Sequence, residues 1–138
     1  MSMFEIFNVA GSAVSAQSQR LNVVASNLAN VDTVAGPDGQ AYKARQVQFQ
    51  TVMMGQGTMP EGSAGVRVST VTESQEPGRR VLDPKHPSAD ADGYVTYSNV
   101  NPVEEMVNMM SASRSYQNNV EVMNTARGLL LKTLQIGQ

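Results

Sequence analysis

The sequence contains no cysteine and no tryptophan. Without thiols there is no disulfide framework, no thiolate metal site and no cysteine nucleophile. Aromatic residues make up 5% of the chain, and His86 is its single histidine. Charge is scarce as well: 16% of the residues are Asp, Glu, Lys or Arg, against about 25% in an ordinary soluble domain. The net charge of -2 argues against a nucleic-acid surface, which needs a basic face. There is no apolar run of the length, about 18 residues or more, that reads as a membrane span. From Met1 to Val14 there is no basic segment, and Glu5, Asn8 and Gly11 interrupt any apolar stretch. A cleavable secretory signal is therefore not expected.

Polarity comes instead from amides and hydroxyls: 10 Asn, 11 Gln, 13 Ser and 8 Thr. At 138 residues the chain is one domain's worth of sequence. Its breakers are unevenly placed. All 6 prolines fall between Val34 and Pro102, leaving an uninterrupted stretch at either end. Three parts follow: an N-terminal helix within residues 1–33, a β-rich and looped middle over 34–101, and a C-terminal helix within 102–138. The expected fold class is α+β, mainly α, with the two long helices packed as an antiparallel coiled coil around a small β-rich insertion.

The N-terminal stretch has a seven-residue period. Phe4, Phe7, Gly11, Val14, Ser18, Leu21, Ala25 and Leu28 alternate spacings of three and four, the a/d seam of a coiled coil. The C-terminal stretch repeats this in Met106, Met109, Ser113, Tyr116, Val120, Met123, Arg127, Leu130 and Leu134. Its start is signalled by Asn101 as cap, Pro102 at the first helical position and Glu104 three residues after the cap. Gly137 is placed to end it. In the middle, Val47, Phe49, Thr51 and Met53 alternate with glutamines as a strand does, and Val66, Val68 and Thr70 repeat the pattern. Arg79–Leu82 and Tyr94–Tyr97 are weaker strand candidates, and the glycine-rich segment from Met54 to Gly65 reads as a loop.

One helix has an unusual surface. Between Met3 and Asn30 the only charged residues are Glu5 and Arg20. An ordinary amphipathic helix shows water a charged face; a helix that touches protein on several sides does not need one. The large apolar members of both seams are therefore candidates for contacts between subunits: Phe4, Phe7, Val14, Leu21, Leu28, Met106, Met109, Tyr116, Val120, Met123, Leu130 and Leu134. Only five large apolar groups line the N-terminal seam, so order at the termini is expected to depend on assembly. Near that helix's end, Asn27 and Asn30 share a face. Two roles are open to them, capping their own helix or bonding to neighbouring chains.

The run Gly11-Ser12-Ala13-Val14-Ser15-Ala16-Gln17-Ser18-Gln19-Arg20-Leu21-Asn22-Val23-Val24-Ala25, closing on Ser26-Asn27-Leu28-Ala29-Asn30, resembles the N-terminal signature of the bacterial flagellar rod and hook axial proteins. Asp83-Pro84-Lys85-His86-Pro87, Ala89-Asp90, Asp92-Gly93-Tyr94-Val95 and Asn99-Val100-Asn101 are similar to the proximal-rod members. So are Glu104-Glu105-Met106-Val107-Asn108-Met109-Met110, Ala112-Ser113-Arg114-Ser115-Tyr116-Gln117 and the ending Lys132–Gln138. The sequence departs from that pattern at Ser98, where proline is frequent, at Asn118-Asn119, and at Gly128 inside the last helix.

The resemblance implies a structural subunit, not an enzyme, of the proximal rod. That rod crosses the periplasm as part of the basal body, and its subunits leave the cell interior through the flagellar export apparatus without a cleavable signal peptide. The implied partners are other rod proteins, copies of the same chain, the export apparatus and components of the rod base and MS ring. No cofactor, no metal, no small-molecule substrate and no nucleic acid is implied. Two other readings compete. A soluble helical-hairpin adaptor or scaffold would use the same seams on one partner. A metal-dependent enzyme would need Asp83, His86, Asp90 and Asp92 as ligands; the prolines flanking that group favour a turn-forming loop, and Asp92-Gly93 is a turn pair.

Overall fold

A computed structural model describes residues 3–54 and 63–137. Two helices dominate it: α1 (Met3–Ala29) and α2 (Pro102–Ile136). Between them come β1 (Arg45–Met53), β2 (Ala64–Glu73), β3 (Arg80–Leu82) and β4 (Tyr94–Thr96). The class is α+β, as expected. Of the looped segment Met54–Gly65, residues 55–62 lie outside the described residues, and Ala64 and Gly65 already belong to β2.

The helix signals act as the sequence suggests. The Asn101 side chain accepts hydrogen bonds from the main-chain N–H groups of Val103 and Glu104, at 3.1 and 3.4 Å. Pro102 stands at the first helical position, and the Gly137 N–H closes the far end on the Thr133 carbonyl at 3.2 Å. Gly128 leaves the helix unbroken.

β1 and β2 form an antiparallel hairpin, with Val47 opposite Val71 and Thr51 opposite Val66. Its register slips between Gln48 and Phe49: Gln48 faces Thr70 while Phe49 faces Val68, which leaves Ser69 as the extra residue of a bulge. The hairpin lies on α1. The Ser12 hydroxyl donates to the Val9 carbonyl at 2.7 Å and accepts the Val66 N–H at 3.1 Å, which ties strand to helix. That approach needs glycine at position 65, where a Cβ would meet the Met54 methyl and Ser12 Oγ. β3 and β4 form a second antiparallel pair. They touch no other named element, and stand as an arm joined to the body through the Val34–Tyr97 bridge.

The helices run antiparallel, since Arg20 reaches Asn108 and Asn27 reaches Glu105 near one end, while Ile6 sits beside Val122 and Ala126 near the other. Among the named elements α2 packs only on α1, so its buried residues mark the contact face. Those are Glu105, Ala112 and Ala126. With half-buried Met109, Tyr116, Asn119, Met123 and Leu130 they follow one another in steps of four and three. Of the residues expected in the seam, Met109, Tyr116, Met123 and Leu130 are half-buried, and the buried positions of α2 fall one residue before Met106, Ser113 and Arg127. Met106, 55% exposed, and Leu134, 61% exposed, lie outside this contact, as does Phe4 at 71%. Alanines at 112 and 126 let α2 approach α1 closely where larger groups would hold the helices apart. The core is correspondingly slight. Val95 is the one large apolar side chain buried below 2% exposure among the described residues.

Candidate functional site: a polar clasp and two open ends

Asn27 is fully buried, at 0% exposure. A buried primary amide must place two N–H donors and an oxygen with two acceptor positions. Asn27 fills all four. Its Nδ2 donates to the Arg45 carbonyl at 2.8 Å and to Glu105 Oε2 at 3.0 Å. Its Oδ1 accepts the Arg45 N–H at 2.9 Å and the Tyr42 hydroxyl at 3.0 Å. One side chain therefore joins the end of α1, the first residue of β1 and the first turn of α2. Glu105 is buried as well, and the helix N-terminus around it favours a carboxylate.

The rest of the signature supports this clasp. Ser26 Oγ lies 3.2 Å from the Tyr42 hydroxyl, half-buried Leu28 follows, and Ala29 is exposed. Asn30 Nδ2 donates to the Ser26 carbonyl at 2.8 Å, closing its own helix end. Asn30 thus takes the capping role left open by the sequence, while the Asn27 bonds run to other elements of the same subunit, not to a neighbouring chain.

Further amides and hydroxyls extend the clasp. Asn99 Oδ1 accepts the Ala44 N–H at 2.6 Å and its Nδ2 donates to the Glu76 carbonyl at 2.9 Å. Ser98 is buried, donating its N–H to the Thr33 carbonyl at 3.2 Å and its hydroxyl to the Val31 carbonyl at 2.6 Å. A proline at that position would have no N–H for the first of these bonds.

The arm formed by β3 and β4 is braced internally. Asp90 Oδ1 accepts the N–H groups of Asp92 and Tyr94 at 3.0 and 2.8 Å, and Oδ2 accepts Arg80 at 2.7 Å. The Tyr94 N–H is the chief cause that holds this carboxyl below the usual range. The oxygens imagined as metal ligands thus serve a turn, completed by Gly93 at φ +81°. Arg79 and Arg80 lie over the rings of Tyr97 and Tyr94.

Both charges of α1 turn inward. Glu5 is buried, and Arg20 donates to Asn108 Oδ1 at 3.2 Å. The exposed line of α1, through Phe4, Asn8, Ser15, Gln19, Asn22 and Ala29, carries no charge. Of the residues predicted for the seams, Phe7, Val14, Leu21, Leu28, Met109, Tyr116, Val120, Met123 and Leu130 are half-buried. Away from the clasp, Ile6 and the α2 residues Val122, Thr125, Ala126 and Leu129 border an open cavity of about 460 Å³. Beyond it Leu131, Leu134 and Ile136 are exposed, and at the clasp end so are Val103, Met106, Val107 and Met110.

Sequence reasoning missed Glu105 and Tyr42. The line Glu105, Ala112, Asn119 and Ala126 runs every seven residues but mixes acid, amide and alanine, so no residue type marks it in the sequence.

Residues 7–37 match the family model of flagella basal body rod proteins, and residues 91–136 match that of the C-terminal region of flagellar basal body rod FlgEFG proteins. Over 139 aligned residues the chain is 57% identical to the flagellar basal-body rod protein FlgC of Salmonella typhimurium. It is 58% identical over 138 residues to the FlgC of Escherichia coli O6:H1, and 39% identical over 150 to that of Bacillus subtilis. All three comparisons cover 100% of both chains. With the rod signature folded into its clasp and its length spanned by these relatives, the chain belongs to the FlgC family of flagellar basal-body rod proteins, and it is a structural subunit of that rod rather than an enzyme.

Proposed function

We propose that this subunit sits in the proximal part of the rod and assembles helically, with other rod proteins and with copies of itself, into a hollow shaft. In that shaft its two terminal helices pack against those of neighbours in coiled-coil fashion, through Phe4, Phe7, Val14, Leu21 and Leu28 of α1 and Met106, Met109, Tyr116, Val120, Met123, Leu130 and Leu134 of α2. The shaft transmits torque across the periplasm, and its bore passes subunits exported later. The chain reaches it through the flagellar export apparatus, and the rod base and MS ring lie among its neighbours.

The observation that carries this reading is the exposed line of α1. A helix whose charges are all turned inward, and whose outer side is small and uncharged, suits protein neighbours better than water. The slight core supports it too. Among the described residues Val95 is the one large apolar side chain that is completely buried, and many others are exposed and have contacts still to make. The resemblance of the Asp83–Asn101 stretch to proximal-rod proteins supports the position within the rod.

A deletion strain tests the proposal. The strain is expected not to swim, with basal bodies that lack a completed rod in electron micrographs, and the wild-type gene is expected to restore both. Complete rods in the deletion strain overturn the reading.

A further inference from the structure

The main-chain hydrogen bonds around β1 have a parity. Ala44, just before the strand, accepts the Ser74 N–H at 2.8 Å, and Met54, just after it, donates to the Ser63 carbonyl at 2.9 Å. Even-numbered residues between them therefore aim their main-chain groups across the hairpin, and odd-numbered residues aim theirs away from it. The bulge leaves this order intact, because its extra residue, Ser69, belongs to β2. Arg45 follows the same order: its N–H and its carbonyl both meet the Asn27 amide. A primary amide presents a donor beside an acceptor, as a peptide group does. Asn27 thus pairs with the free edge of β1 in the manner of a neighbouring strand, for the length of one residue.

Beyond Arg45 that edge is open. Among the described residues, the outward N–H and carbonyl groups of Val47 and Phe49 meet nothing outside the hairpin. They border a cleft of about 430 Å³, whose other walls include Arg20 and Val24 of α1 and Glu105 and Asn108 of α2. No residue of β2 lines it, which places it at the free edge. Charges of both signs face the cleft, so it selects no ion. Three of them are engaged within the subunit: Arg20 with Asn108, Arg45 with Glu73 at 3.4 Å, and Glu105 with Asn27. What remains unmet is main chain. An edge strand that stays in water is normally guarded by charge or proline. From Gln46 to Met53, β1 has neither.

We propose that an extended segment of a neighbouring rod subunit adds to β1 as a third strand, lying in this cleft and pairing with the main-chain groups of Val47 and Phe49. The inference rests on the assembly reading given above and names a surface it uses. The chemistry of the occupant follows from what the edge already binds at Arg45, an amide that donates and accepts side by side. A helix cannot fill the place, because the main-chain groups along its side are bonded within it. A second hairpin would need about 4.8 Å more for its other strand, on the side where Glu105 and Asn108 stand. A single strand needs no such room. Main-chain pairing of this kind supplies affinity, and side chains at alternate positions supply selectivity. Asn27 sets one limit of the contact, since its amide fills the edge at Arg45 and the added strand stops there.

Hydrogen exchange, followed residue by residue in the free full-length subunit and in rods of isolated basal bodies, tests the proposal. In the free subunit the amides of Gln46 and Gln48 are expected to be protected and those of Val47 and Phe49 to exchange freely. In the rod Val47 and Phe49 are expected to slow at least about a hundredfold. A pair of substitutions separates pairing from mere covering. Phe49→Pro removes the outward N–H and spares the hairpin's own bonds, as proline does on an edge strand. Phe49→Ala removes the same side chain and keeps the N–H. The alanine strain is expected to swim, and the proline strain to spread about tenfold less, with both free subunits folded by circular dichroism. Free exchange at Val47 and Phe49 in the rod overturns the proposal, and so does equal swimming by the two strains. If the proline variant fails to fold, the exchange measurement decides alone. Complementation separates this result from the broader reading. If the wild-type gene restores motility and the two amides still exchange freely in the rod, the contact is wrong and the rod assignment stands. If the wild-type gene restores nothing, the assignment itself fails.

Discussion

The two ends of the helix pair are built on opposite principles. At the clasp end Asn27, Glu105, Ser98, Asn99 and Asn101 satisfy one another and the main chain, so helix, strand and loop are joined within the subunit. At the far end Ile6, Val122 and Leu129 border an open cavity, and α2 continues into exposed leucines. Directional bonds hold the clasp end, where Val103, Met106, Val107 and Met110 are exposed as well, whereas at the other end apolar side chains border the open cavity. The contrast shows how a subunit can be specific in its own fold and yet incomplete without neighbours. Hydrogen bonds fix which elements of the chain meet, and apolar area is reserved for contacts made later.

Substitutions can break that contrast. The largest effect is expected from Asn27→Ala at the clasp. It strands the Glu105 carboxylate and both main-chain groups of Arg45, and each unpaired buried group costs about 1–3 kcal/mol. A loss of at least ~3 kcal/mol in urea unfolding, with a weakened near-ultraviolet signal, is expected; a loss under about 1 kcal/mol would remove the clasp from the account.

Next comes a paired test of the two ends. Leu21→Asp places a charge in the half-buried seam and should both destabilise the monomer and stop assembly. Leu134→Asp, at the exposed end, should leave monomer stability within about 0.5 kcal/mol while still stopping rod formation. Thermal melts and motility plates measure the two halves. A Leu134→Asp strain that swims normally would show that the open end is solvent surface after all.

Gly128→Ala is expected to stabilise α2 by about 1 kcal/mol, because an added Cβ meets no atom within 4 Å. If melting rises while motility falls, a neighbour approaches the helix at that point.

The smallest effect concerns the arm. Asp90 is held low by the Tyr94 N–H, with Arg80 and the Asp92 N–H assisting and desolvation opposing. Because its folded value is depressed, the stabilisation is present above the ordinary value of about 3.9 and is lost as the pH falls through the lower folded value. The Tyr94 amide resonance should shift in that acid window, and Asp90→Asn should abolish the shift.

Much of this architecture was legible in the sequence, for identifiable reasons. Helix boundaries followed from Asn101, Pro102 and Gly137, whose backbone roles are local. The strands followed from the alternation around Val47 and Val66. The slip at Ser69 did not, because it depends on which residue of the partner strand arrives opposite. The clasp was half legible. The signature marked Asn27, but its partners Tyr42, Arg45 and Glu105 are distant in sequence, and no local pattern joins them. The seam was displaced at Met106 because small and polar residues fill its inner line, and alanine contributes closeness rather than bulk. Phe4 and Leu134 were placed in seams by the same period, and both are exposed in the subunit.

The alanine line has a consequence for how this molecule can vary. Ala112 is fully buried, and Ala10, Ala16 and Ala126 nearly so. A core of leucines can drift, since one large group shrinks as its neighbour grows. At an alanine only glycine is smaller, and at Ala112 and Ala126, on the face of α2 that meets α1, a larger residue forces the two helices apart. Mutational change at these positions is therefore nearly one-directional. The small residues of the seam, more than the large ones, should be the least interchangeable apolar positions in the chain.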